Sequence, residues 1–206
     1  MVSRERLYAH FQAVQYVSHN NIDGDIVECG VWRGGTSMLG ACALLGMGDT
    51  SRTLWLYDTF AGMTAPTAAD VSPWDGPVAQ KIWEKNQAAD VNAWCYASLD
   101  EVRRNMASTG YPVEKIRYVE GDVLKTLATT VPDQIAVLRL DTDWYESTLK
   151  ELEVLYPRLV RGGVLLIDDY GAWEGCRKAV DEYCAKHGIK LLMQRTDYTG
   201  RTAVKI

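Results

Sequence analysis

No apolar run in these 206 residues approaches the ~20 consecutive residues that a helical membrane span needs. No block of Lys or Arg is present either, and the formal charge is −5, so the electrostatic footprint of a nucleic-acid binder is missing. The opening stretch MVSRERLYAHFQ does not read as a signal peptide. Five cysteines (Cys29, Cys42, Cys95, Cys176 and Cys184) are odd in number, scattered, and without a CxxC pair. That pattern excludes a disulfide frame or a zinc site and reads as small core residues of a reduced, cytoplasmic protein. Histidine is scarce. His10 and His19 fall on a leading helix and His187 near the end of the last long one, all read as surface or structural residues rather than bases. A 2-His-1-carboxylate iron set has no residues to form it. There is no internal repeat and no low-complexity tract.

What remains is an ordinary soluble composition, 47% apolar and 24% charged, long enough for one domain with a substantial core. Short apolar runs occur at 25–30, 53–58, 116–122, 135–141, 163–169, 190–194 and 202–206. Near-continuous runs of this length suit strands buried on both faces. Helical patterns at 35–46, 98–109, 143–159 and 172–187 lie between most of them, and a leading helix covers 3–20. The alternation predicts an α/β domain with a mostly parallel sheet. RTDYTG separates the last two runs without a helix, so they form an antiparallel end hairpin. Residues 59–97, with Pro66, Pro73, Pro77, Trp74, Trp83 and Trp94, are too long for a plain connection. They read as a lid, or as a surface excursion pinned by its tryptophans.

Ligands of open α/β sheets bind beyond the carboxyl ends of the strands. Five consecutive strands here end on acids: Glu28, Asp58, Asp122, Asp141 and the pair Asp168/Asp169. Such a row suggests a cationic or hydroxyl-rich ligand. The first strand runs into VECGVWRGGTSML, where Gly30, Gly34 and Gly35 permit sharp turns and Thr36 and Ser37 open a helix. This is not GxGxxG, and no GK[ST] phosphate cradle exists. A cofactor with ribose but no phosphate fits better, and S-adenosylmethionine is one. Asp58 then takes the ribose hydroxyls, Asp122 lies near the adenine amine, and the Gly30–Gly35 loop faces the methionine tail. Helix capping is the plainer role for both aspartates.

Asp141, Asp168 and Asp169 end neighbouring strands and converge. Left unneutralised, such charges raise one another's pKa and disfavour folding. Hard oxygen ligands without His or Cys point to Mg²⁺ or a similar divalent ion. The alternative has one Asp of DDYG capping the next helix and the other facing water. Asp143 is assigned to capping the 143–159 helix. A metal beside a methyl donor suits transfer to an alcohol: the ion acidifies a hydroxyl of a vicinal diol, and Asp141 accepts its proton.

The blocks DIVECGVWRGGTSM, YDTFAGM, VEGDVLKTL, LRLDTDWYEST and LIDDYGAWEGCRKAVDEY resemble, in matching order over roughly residues 24–206, the macrocin O-methyltransferase family. The resemblance implies a class I S-adenosylmethionine-dependent methyltransferase fold, α/β, in a single domain. The expected sheet is seven-stranded and mostly parallel, with an antiparallel terminal hairpin and helices on both faces. It also implies a Mg²⁺ requirement and, as acceptor, a sugar hydroxyl beside a second hydroxyl on a small-molecule natural product of antibiotic biosynthesis. By position, the family's metal-binding aspartates fall on Asp141, Asp168 and Asp169, with Asp141 also the proton acceptor. Cofactor roles fall on Glu28, Gly30, Gly34, Ser37, Asp58 and Asp122. A homo-oligomer is expected, with neither nucleic acid nor membrane as partner. About 23 residues precede the first strand, where family members carry a longer region, so a smaller or more open acceptor site is expected. Trp144 and Tyr145 are candidates to stack on the acceptor or to pack in the core. Two other readings stand beside this one: methyl transfer to a catechol or other phenolic diol, and a non-catalytic cofactor-binding module.

Overall fold

The computed structural model describes residues 2–206. Helix α1 (Arg4–His19) starts at Ser3, whose hydroxyl accepts from the Arg6 N–H at 3.2 Å, and buries His10, Ala13, Val14 and Val17 along one stripe. Strand β1 (Asp25–Cys29) leads through the glycine loop into α2 (Gly35–Gly46), and β2 (Leu54–Asp58) follows. After α3 (Ala79–Lys85) and α4 (Leu99–Ala107) come β3 (Ile116–Glu120), the single-turn α5 (Val123–Thr126) and β4 (Ile135–Leu140). The chain ends with α6 (Tyr145–Leu155), β5 (Leu159–Ile167), α7 (Glu174–His187), β6 (Gln194–Arg195) and β7 (Arg201–Val204).

The seven strands form one sheet in the order β3-β2-β1-β4-β5-β7-β6. Strands β1 to β5 are parallel, and β7 runs antiparallel to both β5 and β6. Chain order reverses between β1 and β4, which opens the crevice where ligands of such sheets bind. Val14, Leu44, Leu56, Met106 and Val137 pack on one side of the sheet under α1, α2 and α4. Val27, Leu138, Leu152, Leu165 and Val180 pack on the other under α6 and α7. All six residues of β4 are buried, which explains its unbroken apolar reading apart from Arg139. Among the described residues no helix is long and apolar enough to cross a membrane.

Three expectations need correction. The strand expected over 190–194 shrinks to Gln194–Arg195, because β7 pairs only with those two residues. Leu191 and Met193 turn to the core instead, while Leu192 is 91% exposed. The 143–159 helix starts only at Tyr145 and gives way at Tyr156 to a tight turn holding Pro157, whose ring removes a backbone donor. Asp143 is therefore not its cap: the residue before the helix is Trp144, and Asp143 sits in the left-handed region at φ 68°.

Residues 59–97 hold one short helix and two small bridged turns, Ser72 to Gly76 and Gln87 to Asn92. Tryptophans tack the segment down. Trp83 donates to the Met63 carbonyl at 2.9 Å, and Trp144 to that of Thr64 at 3.0 Å. Trp94 packs edge-on against Trp144 and Trp173, with centroids 5.7 and 6.3 Å away. Trp144 is thus a core residue, whereas Tyr145 reaches across the surface to Glu182 at 2.7 Å.

Candidate functional site

Strand parity builds the site. Positions 137 and 139 of β4 alternate onto one face with 141 just past its end, as do 164 and 166 of β5 with 168 just past its end. Glu28 of β1 lies in register with Arg139, and Arg139 with Leu166. A guanidinium therefore ends up among acids at the carboxyl edge. Arg139 Nη1 donates to Glu28 Oε1 and Asp141 Oδ2, each at 2.7 Å, and Nη2 donates to Asp168 Oδ1 at 2.5 Å. Burial opposes the charge on Arg139, but Asp141, Asp168 and Glu28 outweigh it and hold its pKa well above the ordinary arginine value. Arg6 of α1 is a second cation, bonded to Asp168 Oδ2 and, at 2.9 Å, to Asp197 Oδ2.

These two arginines are what the sequence reading missed. The three aspartates do come together, with candidate ligand atoms all within 4.8 Å of one another. Two of them are already engaged, however, because Arg139 and Arg6 occupy Asp168 and one oxygen of Asp141. The available signal was Arg139 itself: a lone charge in IAVLRLD, two residues before Asp141 and so on its face.

Asp169 behaves differently. It is buried, and its Oδ2 has no hydrogen-bond partner among the described residues. Burial first, then Asp143, Asp141 and Asp168, push its pKa well above the usual carboxylate range. Asp141 is raised by burial and then by Asp168, Asp143 and Glu28, against the pull of Arg139, although 28% of its side chain still opens to the cavity and so keeps some hydration. Asp143 accepts from Trp173 Nε1 at 2.8 Å and is pushed up by burial to about 7. Two arginines do not balance Glu28, Asp141, Asp143, Asp168 and Asp169. An orphaned buried oxygen on Asp169, an oxygen of Asp141 not engaged by Arg139, and an all-carboxylate donor set suit a hard divalent cation.

The expected cofactor residues lie around the β1–α2 loop. Gly30 has φ 84°, and a Cβ there would stand 1.9 Å from the Asp141 carbonyl oxygen, so only glycine lets the two strand ends approach. Glu28 is buried, bonded to Arg139 and to the Ser37 hydroxyl, so both form the floor beneath the loop. Gly34 precedes α2 at φ 83° and faces Val102, while its neighbours Gly35 and Thr36 line the cavity. Asp58 clamps the loop: its Oδ2 accepts from the Val31 and Trp32 N–H groups at 2.7 and 2.9 Å, and its Oδ1 from Phe60 at 2.8 Å. Burial raises its pKa and these three donors hold it back. Asp122 caps α5, accepting from Leu124 at 2.9 Å, and also lines a smaller recess with Asp58 and Gly121. A cavity of about 360 Å³ is lined by Gly30, Gly35 and Thr36 of the loop and by Asp141, Asp168 and Asp169. His10 is buried and does not line the cavity, and burial first, then the charge of Arg139, lowers its pKa to about 3.

Comparison with known proteins gives a consistent result. The family model described as Macrocin-O-methyltransferase (TylF) matches residues 1–204. A demethyldecarbamoylnovobiocin O-methyltransferase of Streptomyces niveus is 39% identical over 189 residues, covering 92% of this chain and 69% of its own. An 8-demethyl-8-(2,3-dimethoxy-alpha-L-rhamnosyl)-tetracenomycin-C 4'-O-methyltransferase of Streptomyces olivaceus is 36% identical over 200 residues, covering 97% and 73%. Among solved structures, the O-methyltransferase NovP superposes with a TM-score of 0.84 at 35% identity, covering 98% of this chain and 79% of that one. The calicheamicin methyltransferase CalS11, at 19% identity and a TM-score of 0.70, shares the fold.

Proposed function

The chain belongs to the macrocin O-methyltransferase family, with the class I methyltransferase fold, and from that premise we propose that it methylates one hydroxyl of a vicinal diol on a sugar borne by a small-molecule natural product. S-adenosylmethionine is the proposed donor, supplying a methyl group whose bond to sulfur breaks as the bond to the acceptor oxygen forms. The Gly30–Gly35 loop takes its amino-acid end. Asp58 retains lone-pair capacity beyond its three backbone donors for a ribose hydroxyl, and Asp122 flanks the recess for the adenine.

Asp141, Asp168 and Asp169 are the residues that would hold Mg²⁺, which when bound supplies positive charge to acidify an alcohol. Asp141 faces the cavity at the end of β4, the neighbour of β1, and would take the proton of the hydroxyl whose oxygen attacks the methyl group. Arg139 keeps that carboxylate oriented, and Arg6 fixes Asp168. Residues 59–97 are proposed as the cover that keeps water from the donor, since Gly62, Met63 and Cys95 line the cavity.

The observation that carries the reading is the buried, unpartnered Asp169 Oδ2 beside Asp141 and Asp168. Calorimetric titration with S-adenosylhomocysteine, then with Mg²⁺, against an EDTA-treated control tests it. Asp169→Asn is the informative variant, because it breaks no arginine pair. Loss of the Mg²⁺ heat with cofactor binding intact supports the reading. An unchanged Mg²⁺ heat removes Asp169 as a ligand, and absence of cofactor binding in the wild type removes methyl transfer.

A further inference from the structure

Two large aromatic side chains stand in water at the rim of the acid-floored cavity: Trp74 is 60% exposed and Tyr198 59%. They come from distant parts of the chain, Trp74 from the segment after β2 and Tyr198 from the turn between β6 and β7. Their ring centroids lie 5.7 Å apart with planes at 59°, a tilted pair in contact whose outer faces stay in water. Tyr198 lines the same cavity as Asp141, Asp168 and Asp169. Neither the Trp74 indole N–H nor the Tyr198 hydroxyl bonds to another described residue. Exposed rings with free polar tips are groups suited to a ligand that is flat on its faces and polar at its edges.

Neither ring is loosely held. The Ser72 hydroxyl accepts from the Trp74 and Asp75 N–H groups at 3.3 and 3.1 Å, and Ser72 and Gly76 exchange backbone bonds at 3.1 and 3.0 Å. Tyr198 rides on a turn gathered by Asp197, whose Oδ1 accepts from the Thr199 and Gly200 N–H groups at 2.9 and 2.7 Å. Asp197 Oδ2 accepts from Ser3 at 2.6 Å and Arg6 at 2.9 Å, and Arg6 also bonds Asp168. One guanidinium thus ties the turn that presents Tyr198 to the carboxylate cluster. Gly171 brings the turn close: a Cβ there would meet the Tyr198 carbonyl oxygen at 2.4 Å. An aromatic surface preset in this way binds with little ordering of its own side chains.

We propose that Trp74 and Tyr198 form a stacking subsite for the planar ring system that carries the reacting sugar. The proposal rests on the sugar-acceptor reading above and extends it. The cavity of about 360 Å³ is at the small end for a ligand pocket, and its floor of carboxylates suits the hydroxylated end of an acceptor. What emerges at the rim is the part beyond the glycosidic bond, and there the wall changes from charged to aromatic. The acceptor class is therefore a glycoside with a flat aglycone, apolar on its faces and polar at its edges, rather than a free sugar.

Two probes test this in the presence of S-adenosylhomocysteine and Mg²⁺: a methyl rhamnoside and an umbelliferyl rhamnoside, which differ only in the flat aglycone. Calorimetry should show the wild type holding the umbelliferyl glycoside about tenfold more tightly. Trp74→Ala with Tyr198→Ala should reduce that preference below about twofold while S-adenosylhomocysteine affinity, the control for folding, stays unchanged. Trp74→Phe, which keeps a ring, should retain most of the preference. Equal affinities in the wild type, or a preference surviving in the double variant, overturns the subsite and leaves the sugar-acceptor reading standing on the methyl rhamnoside alone. Binding of neither glycoside overturns that reading and the subsite with it. A dimer in sedimentation that the double substitution dissociates would assign the pair to a second copy of the chain and also overturns the subsite.

Discussion

Arg139 and Asp141 sit two residues apart on one face of β4, and a single guanidinium nitrogen of Arg139 reaches both Asp141 Oδ2 and Glu28 Oε1 at 2.7 Å. That nitrogen joins the floor of the glycine loop to the proposed base, so the two halves of the site are fixed by one side chain. Replacing it leaves Glu28, Asp141 and Asp168 facing one another in a buried place. Arg139→Leu should therefore lose about 3–5 kcal/mol of stability, read from urea midpoints, since breaking a buried pair from one side strands the other charges. Arg139→Lys keeps a charge but not the fork, and should fall between the two. A leucine variant as stable as the wild type would mean the acids are neutralised by protonation instead.

Asp58 is bound into the backbone of the loop as well as facing the recess proposed for the cofactor, which separates two consequences of removing it. Asp58→Ala should weaken S-adenosylhomocysteine more than about tenfold, having lost both the ribose acceptor and the clamp on Val31 and Trp32. Asp122→Ala should act more weakly, since its first task is to cap α5. Unchanged cofactor affinity in the Asp58 variant would sink the ribose assignment.

The strand-end acids were legible because parallel strands announce themselves as apolar runs, and an acid closing each run must lie at the carboxyl edge. The end hairpin and the convergence of Asp141, Asp168 and Asp169 follow the same logic, whereas the strand order is not written in the apolar runs. Partnership was harder to read. Arg6 meets Asp168 and Asp197 across the fold, from positions 162 and 191 residues away in sequence, and no local pattern encodes that meeting. Asp143 was misread because an acid before a helix is ordinarily a cap, whereas here the chain takes a left-handed step that turns its carboxylate to Trp173. The tryptophans after β2 gave the segment's bulk without saying which rings pack. Trp94 joins Trp144 and Trp173, while Trp74 faces water.

Glu151 of α6 lies wholly buried behind the site, accepting from the Thr142 hydroxyl at 2.8 Å, with its second oxygen unpartnered. Burial raises its pKa to about 8. A carboxyl raised above its unfolded value binds a proton on folding. Its contribution is complete below the unfolded pKa of ~4.3 and is lost as pH rises towards 8. Glu151→Gln keeps the acceptor for Thr142 and removes the titration. Urea midpoints of the variant should therefore exceed those of the wild type increasingly from pH 5 to pH 8 and by a constant margin above that. Parallel curves for the two proteins would show that Glu151 stays charged, with a partner supplied by water.

His10 is the opposite case. It is buried on α1 with neither ring nitrogen hydrogen-bonded, and its Nε2 lies so near Gly40 that a Cβ there would come within 3.0 Å. Burial first, then the charge of Arg139, lowers its pKa to about 3, so the folded protein holds it neutral. The unfolded chain takes up a proton below about pH 6.5, and the stability tied to the neutral ring is lost as pH falls from there towards 3. Within that window the loss is about 1.4 kcal/mol per pH unit, in addition to whatever the carboxylates do. His10→Leu removes the ring's share and leaves the carboxylates in place, so the difference between variant and wild type isolates it. That difference should be flat above pH 7 and should move in the variant's favour at each step down to pH 4. A constant difference across the range would mean that the ring finds a proton acceptor in the folded state, which would place a water or a displaced carboxylate beside α1.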